Sequence, residues 1–364
     1  MKNRVAFVTE SLFSMGGANR VLEKFLEIYP QADIYALFGD KKDISEKINQ
    51  SKIHFSFLNR VPFVKRMYRY TYPLWPFAIE QFDFSDYNLV IPLSSSVAHG
   101  AITPVYCKHI CYLHSPMRYA WDMKDIYTRR VGEKFGIFKF VWSIILNKMR
   151  IWDTSACNRP DTIIANSKFT KDRAQKYWGR KIDYVVYPPV DNYTGEIFTK
   201  RERYFVSGAP FEPNKGGNFL LECASKLGFN LKIIGTGSME RKFRWKYRKY
   251  KNIQFLGKIS DEQKWKLLSK ASGYVQCGVE DFGIFPVEAM LCGTPVFAYS
   301  GGGILESLVD GTTGLFFDVQ EVVEFERVFK RFMREKWNYE RISRYSKKFC
   351  KKDFKEKILR IVNN

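Results

Sequence analysis

Metal-binding patterns are scarce in this sequence. It has four histidines (His54, His99, His109, His114), no Asp-x-Asp pair and seven scattered cysteines, Cys107, Cys111, Cys157, Cys223, Cys277, Cys292 and Cys350. An odd number of cysteines without paired spacing fits neither a disulfide framework nor a zinc site. A reducing compartment is therefore expected, and no metal or other cofactor. Nor is there an apolar run of the ~20 residues that a bilayer-spanning helix requires. The most apolar helical stretch, Phe135 to Leu146, is interrupted by Lys139. No signal-peptide layout opens the chain, because Arg4 to Glu10 already reads as a strand. The expectation is a cytoplasmic chain that touches a membrane at most from its cytoplasmic face.

Acidic residues are also in deficit, 38 against 59 lysines and arginines, for a formal charge of +21. The excess is uneven. Residues 1–188 hold 28 basic and 17 acidic residues, 189–326 hold 17 of each, and 327–364 hold 14 and 4. Such a charge calls for an anionic partner, either a membrane surface or a nucleic acid. The neutral middle and the lack of an RNA-binding aromatic signature argue against nucleic acid. Aromatic and cationic residues interleave over Arg60–Tyr70 and again over Phe135–Trp152, which fits an interfacial surface as well as an amphipathic core helix.

At 364 residues, 45% hydrophobic and 16% aromatic, the chain is globular and long enough for two domains. Short runs rich in β-branched and aromatic residues alternate with helical segments, the pattern of parallel sheets built from βαβ units. Strands are expected at Val5–Thr9, Asp33–Leu37, Leu89–Pro92, His109–Leu113, Thr162–Ala165 and Tyr184–Tyr187. A second series is expected at Tyr204–Val206, Leu231–Ile234, Ile253–Phe255, Tyr274–Gln276, Pro295–Ala298 and Leu315–Phe317. The pair Pro188-Pro189 stiffens a linker between the two series. Residues 320–362 read as helices. The fold class is α/β, with two doubly wound, Rossmann-like domains facing a cleft: 1–188, joined by a C-terminal helix 343–364 that crosses back, and 189–342.

Five phrases could carry chemistry. Glu280-Asp281-Phe282-Gly283-Ile284-Phe285-Pro286-Val287-Glu288-Ala289-Met290 is a turn leading into a helix. Its backbone N–H groups suit an anion, and its two glutamates, eight residues apart, suit sugar hydroxyls. It exits through Gly293-Thr294-Pro295-Val296. Phe205–Gly216 ends on Lys215-Gly216, a cation at a helix start. Ser14-Met15-Gly16-Gly17 follows the first strand, and its glycines admit a close phosphate. Tyr112-Leu113-His114-Ser115-Pro116-Met117-Arg118-Tyr119-Ala120-Trp121-Asp122 sets a histidine at a strand end. Asn166-Ser167 precedes a helix and also reads as an ordinary cap.

Together these phrases, from Gly16 to Gly314, resemble the retaining glycosyltransferases of family 4 (group 1), which have the GT-B architecture, and in particular bacterial O-antigen and exopolysaccharide mannosyltransferases. The resemblance implies transfer of a sugar, mannose from GDP-mannose, to a lipid-linked or polysaccharide acceptor. It implies His114 and Glu280 at the donor sugar, and Glu288 on the ribose hydroxyls. Gly16, Gly17, Lys215, Gly216, Phe282, Gly283, Ile284 and Phe285 complete the expected donor site, with Arg118, Asn166 and Ser167 as further candidates. Ala209 stands where the family carries an arginine for the diphosphate. With no carboxylate placed as a nucleophile, the resemblance implies front-face displacement. A UDP-sugar donor on the same fold is the alternative. A nucleotide-sugar epimerase or a phosphorylase would also keep the two domains.

Overall fold

The computed structural model describes residues 4–132, 136–208, 211–212 and 215–364. It divides into two compact units, Met1–Tyr187 with Lys357–Asn364, and Pro188–Glu356. The division falls inside the proline pair's segment. The expected crossing segment 343–364 is itself divided, because residues up to Glu356 go with the second unit and only the last eight with the first. Both parts share the helix Lys351–Asn363.

In the first unit, β1 (Val5–Leu12), β2 (Asp33–Gly39), β3 (Ile53–Phe55), β4 (Leu89–Ser94), β5 (Lys108–Leu113), β6 (Thr162–Ala165) and β7 (Tyr184–Val185) form one sheet in the order β3-β2-β1-β4-β5-β6-β7. Every pairing is parallel. The order reverses between β1 and β4, where ligands of open parallel sheets sit beyond the strand ends. The central strands are buried on both faces, which explains their uninterrupted apolar runs. Helix Gly17–Ile28 returns from β1 and buries Val21, Leu22, Phe25 and Leu26, a helical spacing that turns one apolar face to the sheet. Within this unit Lys108 Nζ donates to the Val362 carbonyl at 2.8 Å, tying down the C-terminal turn.

The second unit repeats the plan with β8 (Glu202–Ser207), β9 (Leu231–Ile234), β10 (Ile253–Gly257), β11 (Ala271–Gln276), β12 (Val296–Tyr299) and β13 (Gly314–Phe317), in the order β10-β9-β8-β11-β12-β13, again all parallel. Its switch point lies between β8 and β11. Helix Val322–Arg334 covers the sheet with Phe325, Val328, Phe329 and Phe332. These meet Phe205 and Phe297 in an aromatic core whose ring centroids are 4.9–6.1 Å apart. Among the described residues no helix is long and apolar enough to cross a membrane, and all seven cysteines are unpaired.

Candidate functional site

In the second unit, two loops meet backbone to backbone beyond β8 and β11. A Cβ on Gly216 would overlap the Cys277 carbonyl, and one on Gly278 would lie 2.5 Å from the Lys215 carbonyl oxygen. Only glycine permits this approach, and Gly216 also holds φ at +67°. Gln320 Nε2 also donates to the Cys277 carbonyl at 2.7 Å. The contact brings Lys215 beside Glu280, and Lys215 Nζ forms an ion pair with Glu280 Oε2. Both side chains remain partly exposed. Thus the expected diphosphate cation and the expected sugar-side carboxylate share one spot at the switch point. Ala209 lies outside the described residues.

The Glu280 segment is held by the glycine run Gly301-Gly302-Gly303. Glu280 bridges Gly302, and Gly303 N donates to the Glu280 carbonyl at 2.9 Å. A Cβ on Gly302 would sit 2.5 Å from that same oxygen, and one on Gly303 would overlap the Asp281 carbonyl. Gly283, at φ +88°, opens the helix Ile284–Leu291. The Phe282 ring is buried against Phe349, 5.5 Å between centroids. Phe285 stacks on Tyr274 at 6.1 Å and lies under the Gly208 backbone. Tyr274 in turn accepts from Gly208 N at 3.1 Å. Burial, with Glu280 and Glu288 nearby, pushes its phenol above the ordinary range, the Gly208 bond opposing. Both phenylalanines therefore pack the turn, and Ile284 starts its helix.

Glu288 is closed. Lys264 Nζ donates to its Oε1 at 2.5 Å, and each side chain is only 5% exposed. Lys264 also reaches Asp261 at 3.0 Å and lies over Trp265, 4.7 Å from the ring centroid. Sequence reasoning missed Lys264. It sits 24 residues from Glu288, and one lysine in a lysine-rich chain gives no local signal.

The first unit gathers the other candidates at the end of β5. His114 is buried. Its backbone N–H donates to the Ser94 carbonyl at 2.8 Å, and its carbonyl accepts from Asn166 Nδ2 at 3.0 Å. Its ring meets Tyr112 edge-on at 5.2 Å. Asn166 thus holds the histidine loop. Ser167 caps the helix Lys168–Trp178, accepting from Thr170 N at 2.9 Å. Arg118 Nε donates to Ser115 Oγ at 3.3 Å. Arg173, which sequence reasoning missed, approaches the same hydroxyl at 3.4 Å and pairs with Asp122 at 2.9 Å. The spacing of the histidine phrase is largely set by packing. Tyr119, Trp121 and Asp122 each bond to a different neighbour, Ser96, Asp153 and Arg173.

Gly16 precedes the helix Gly17–Ile28 in extended conformation with no side-chain cap, and a Cβ there would meet Ser14 Oγ at an ordinary 4.0 Å. Asn19 closes the loop beneath, donating to the carbonyls of Ser11 at 2.9 Å and Ser14 at 2.7 Å. Asn19 therefore has a structural use in this loop. No group of three histidine, cysteine or carboxylate side chains among the described residues is placed to hold a metal.

The two units match two family descriptions in turn, Glycosyltransferase Family 4 over residues 15–192 and Glycosyl transferases group 1 over residues 195–349. The chain belongs to this glycosyltransferase family. An uncharacterized glycosyltransferase of Methanocaldococcus jannaschii is 29% identical over 60% of this chain and 54% of its own length. The alpha-1,3/1,6-mannosyltransferase of Saccharomyces cerevisiae is 23% identical over 86% of this chain and 72% of its own. The chain thus spans about half the length of the first relative and more of the second. Among solved structures, Anabaena HepE in complex with UDP superposes with a TM-score of 0.70 at 15% identity over 99% of both chains. Sucrose-phosphate synthase of Thermosynechococcus elongatus gives 0.73 at 15% over 100% and 98%. These likenesses establish the GT-B fold.

Proposed function

We propose that this chain transfers mannose from GDP-mannose, with retention of configuration, to a lipid-linked or polysaccharide acceptor. The observation that carries the reading is the meeting of Lys215 and Glu280 where two glycine-bearing loops cross at the second unit's switch point. In this reading the departing diphosphate takes Lys215 and the loop N–H groups as its counter-charge, and Glu280 is left to orient the sugar. For His114 the proposal keeps the catalytic role that the resemblance implies. The mannosyl choice draws on the yeast relative and on a Propionibacterium freudenreichii phosphatidyl-myo-inositol mannosyltransferase, 32% identical over 34% of this chain and 33% of its own length.

A lipid-linked acceptor and the net charge of +21 support work at an anionic membrane surface as part of this proposal. The first unit supports it. Phe63 is 78% exposed and Tyr70 76%, with Met67, Leu74 and Phe77 also exposed beside Arg60, Lys65 and Arg66. Phe63 holds φ at +56°, and no other non-glycine among the described residues has positive φ. An exposed aromatic cluster among cations suits an interfacial anchor, which binds through apolar burial and attraction to anionic lipid.

Thermal unfolding with GDP, GDP-mannose, UDP, UDP-glucose and ADP tests the donor. A ligand at 100 times its Kd adds about 2.7 kcal/mol of stability. Stabilisation by GDP and GDP-mannose alone supports the proposal. Stabilisation by UDP ligands moves the reading to a UDP-sugar, the donor type present in HepE solved with UDP-glucose. No shift with any nucleotide overturns the donor site.

A further inference from the structure

The Glu10 carboxylate, at the end of β1, is buried and surrounded by donors. Its Oε1 accepts from the backbone N–H groups of Ser96, Val97 and Ala98 at 2.8–2.9 Å and of Ser95 at 3.1 Å, and Ser95 N also reaches Oε2 at 3.1 Å. The Ser94 hydroxyl adds a contact at 3.3 Å. Consecutive N–H groups converging beyond a strand at a switch point form an anion cradle. In this unit the chain's own carboxylate fills it.

That filled cradle fixes everything the loop touches. The Ser94 carbonyl receives the His114 N–H. The Ser96 hydroxyl meets Tyr119 OH at 2.9 Å. The Ser94 hydroxyl lies 3.1 Å from His99 Nδ1, and His99 Nε2 lies 3.2 Å from Asp153 Oδ1. Asp153 Oδ2 accepts the indole N–H groups of Trp121 and Trp178, both at 2.7 Å. His114, Tyr119 and Trp121, three members of one phrase, are thus tied directly or through Ser94, His99 and Asp153 to the loop that Glu10 organises.

We propose that Glu10 is a positioning residue that sets His114 through the Ser94–Ala98 loop. It does not touch substrate. A carboxylate suits the cradle because both its oxygens accept and its charge strengthens every bond, whereas a glutamine keeps an acceptor for the Oε1 contacts but loses the charge and turns its NH2 toward Ser95 N.

The test is Glu10→Gln, read in three ways on the full chain. With only four histidines in the sequence, nitrogen-15 histidine labelling resolves each imidazole by NMR. The His99 and His114 signals should move and the His54 signal, from edge strand β3, should not. Turnover should fall by roughly ten- to a hundredfold, as expected for a displaced catalytic group, while donor KM and GDP affinity stay within about twofold. If Glu10→Gln does not fold, Glu10→Asp keeps the charge and shortens the reach, and should give the same signature more weakly. An unmoved His114 signal, or unchanged turnover, in the variant that folds overturns the proposal. The turnover arm rests on the transfer reaction proposed above. If the wild-type protein turns over no nucleotide sugar, that reading fails and the His114 signal alone decides the role of Glu10.

Discussion

Lys264 and Glu288 form a buried ion pair, 2.5 Å from Nζ to Oε1, with Glu288 on the helix that follows the turn carrying Glu280. Two charges withdrawn from water are tolerated only as a pair, and removing one partner costs about 3–5 kcal/mol because the other is left uncompensated. Lys264→Met should therefore lower stability by about that amount, and the double variant Lys264→Met/Glu288→Leu should recover most of it. Denaturant unfolding of the three proteins checks this. Equal losses in the single and double variants would mean that the pair's charges are not what matters.

The loop crossing at Gly216 should tolerate no side chain. Alanine there must hold a left-handed φ, at about 1–2 kcal/mol, and its Cβ overlaps the Cys277 carbonyl. Gly216→Ala should fold with a lowered Tm and lose nucleotide-dependent stabilisation. Gly228→Ala takes a left-handed φ with open space around it, so it should lose stability alone. Nucleotide binding by Gly216→Ala at wild-type strength would separate the crossing from ligand binding.

Among the described residues, His109, inside β5, has no hydrogen-bond partner at either ring nitrogen. Burial depresses its pKa from the ordinary 6.5 to about 3, with smaller contributions from its neighbours His99, Arg159 and Arg180. Its contribution to stability is complete above the unfolded value. As pH falls below about 6.5 the unfolded chain gains a proton that the folded chain refuses until about pH 3, so stability declines by up to ~1.4 kcal/mol per pH unit. His109→Leu should flatten that part of the profile, measured as denaturant unfolding from pH 7.5 to 4.5. A variant with the wild-type slope would assign the acid loss to other groups.

Membrane contact should depend on the exposed aromatic segment. Wild-type protein should sediment with vesicles containing phosphatidylglycerol and not with pure phosphatidylcholine. The double variant Phe63→Ala/Tyr70→Ala should weaken that binding by roughly tenfold, through lost apolar burial, with Tm unchanged or raised. Undiminished sedimentation of the variant would place the contact elsewhere.

Much of the fold is legible in the sequence, because buried parallel strands are written as apolar runs and turns as glycine and proline. Twelve of the strands lie where those runs lie. Edge strand β3, Ile53–Phe55, was missed because three residues are too short to show a period. β4 extends past Pro92, the expected last residue, to Ser94. Its ladder to β5 skips Ile91 and Pro92 and resumes at Leu93, and the two added residues include the one that receives His114. Glu280, Lys215 and His114 were visible because each lies in a phrase with fixed neighbours. Glu10, Lys264 and Arg173 were not, because their partners are 84 to 88, 24 and 51 residues away. Spacing says nothing at that range.

The central claim, that Lys215 beside Glu280 receives a nucleotide diphosphate, is tested most directly by calorimetric titration of GDP into the wild-type protein and Lys215→Ala. The account predicts saturable binding to the wild type, weakened on the order of ten- to a hundredfold in the variant by loss of a charged hydrogen bond. Equal affinity in both proteins, or no binding to the wild type by GDP or UDP, would contradict it.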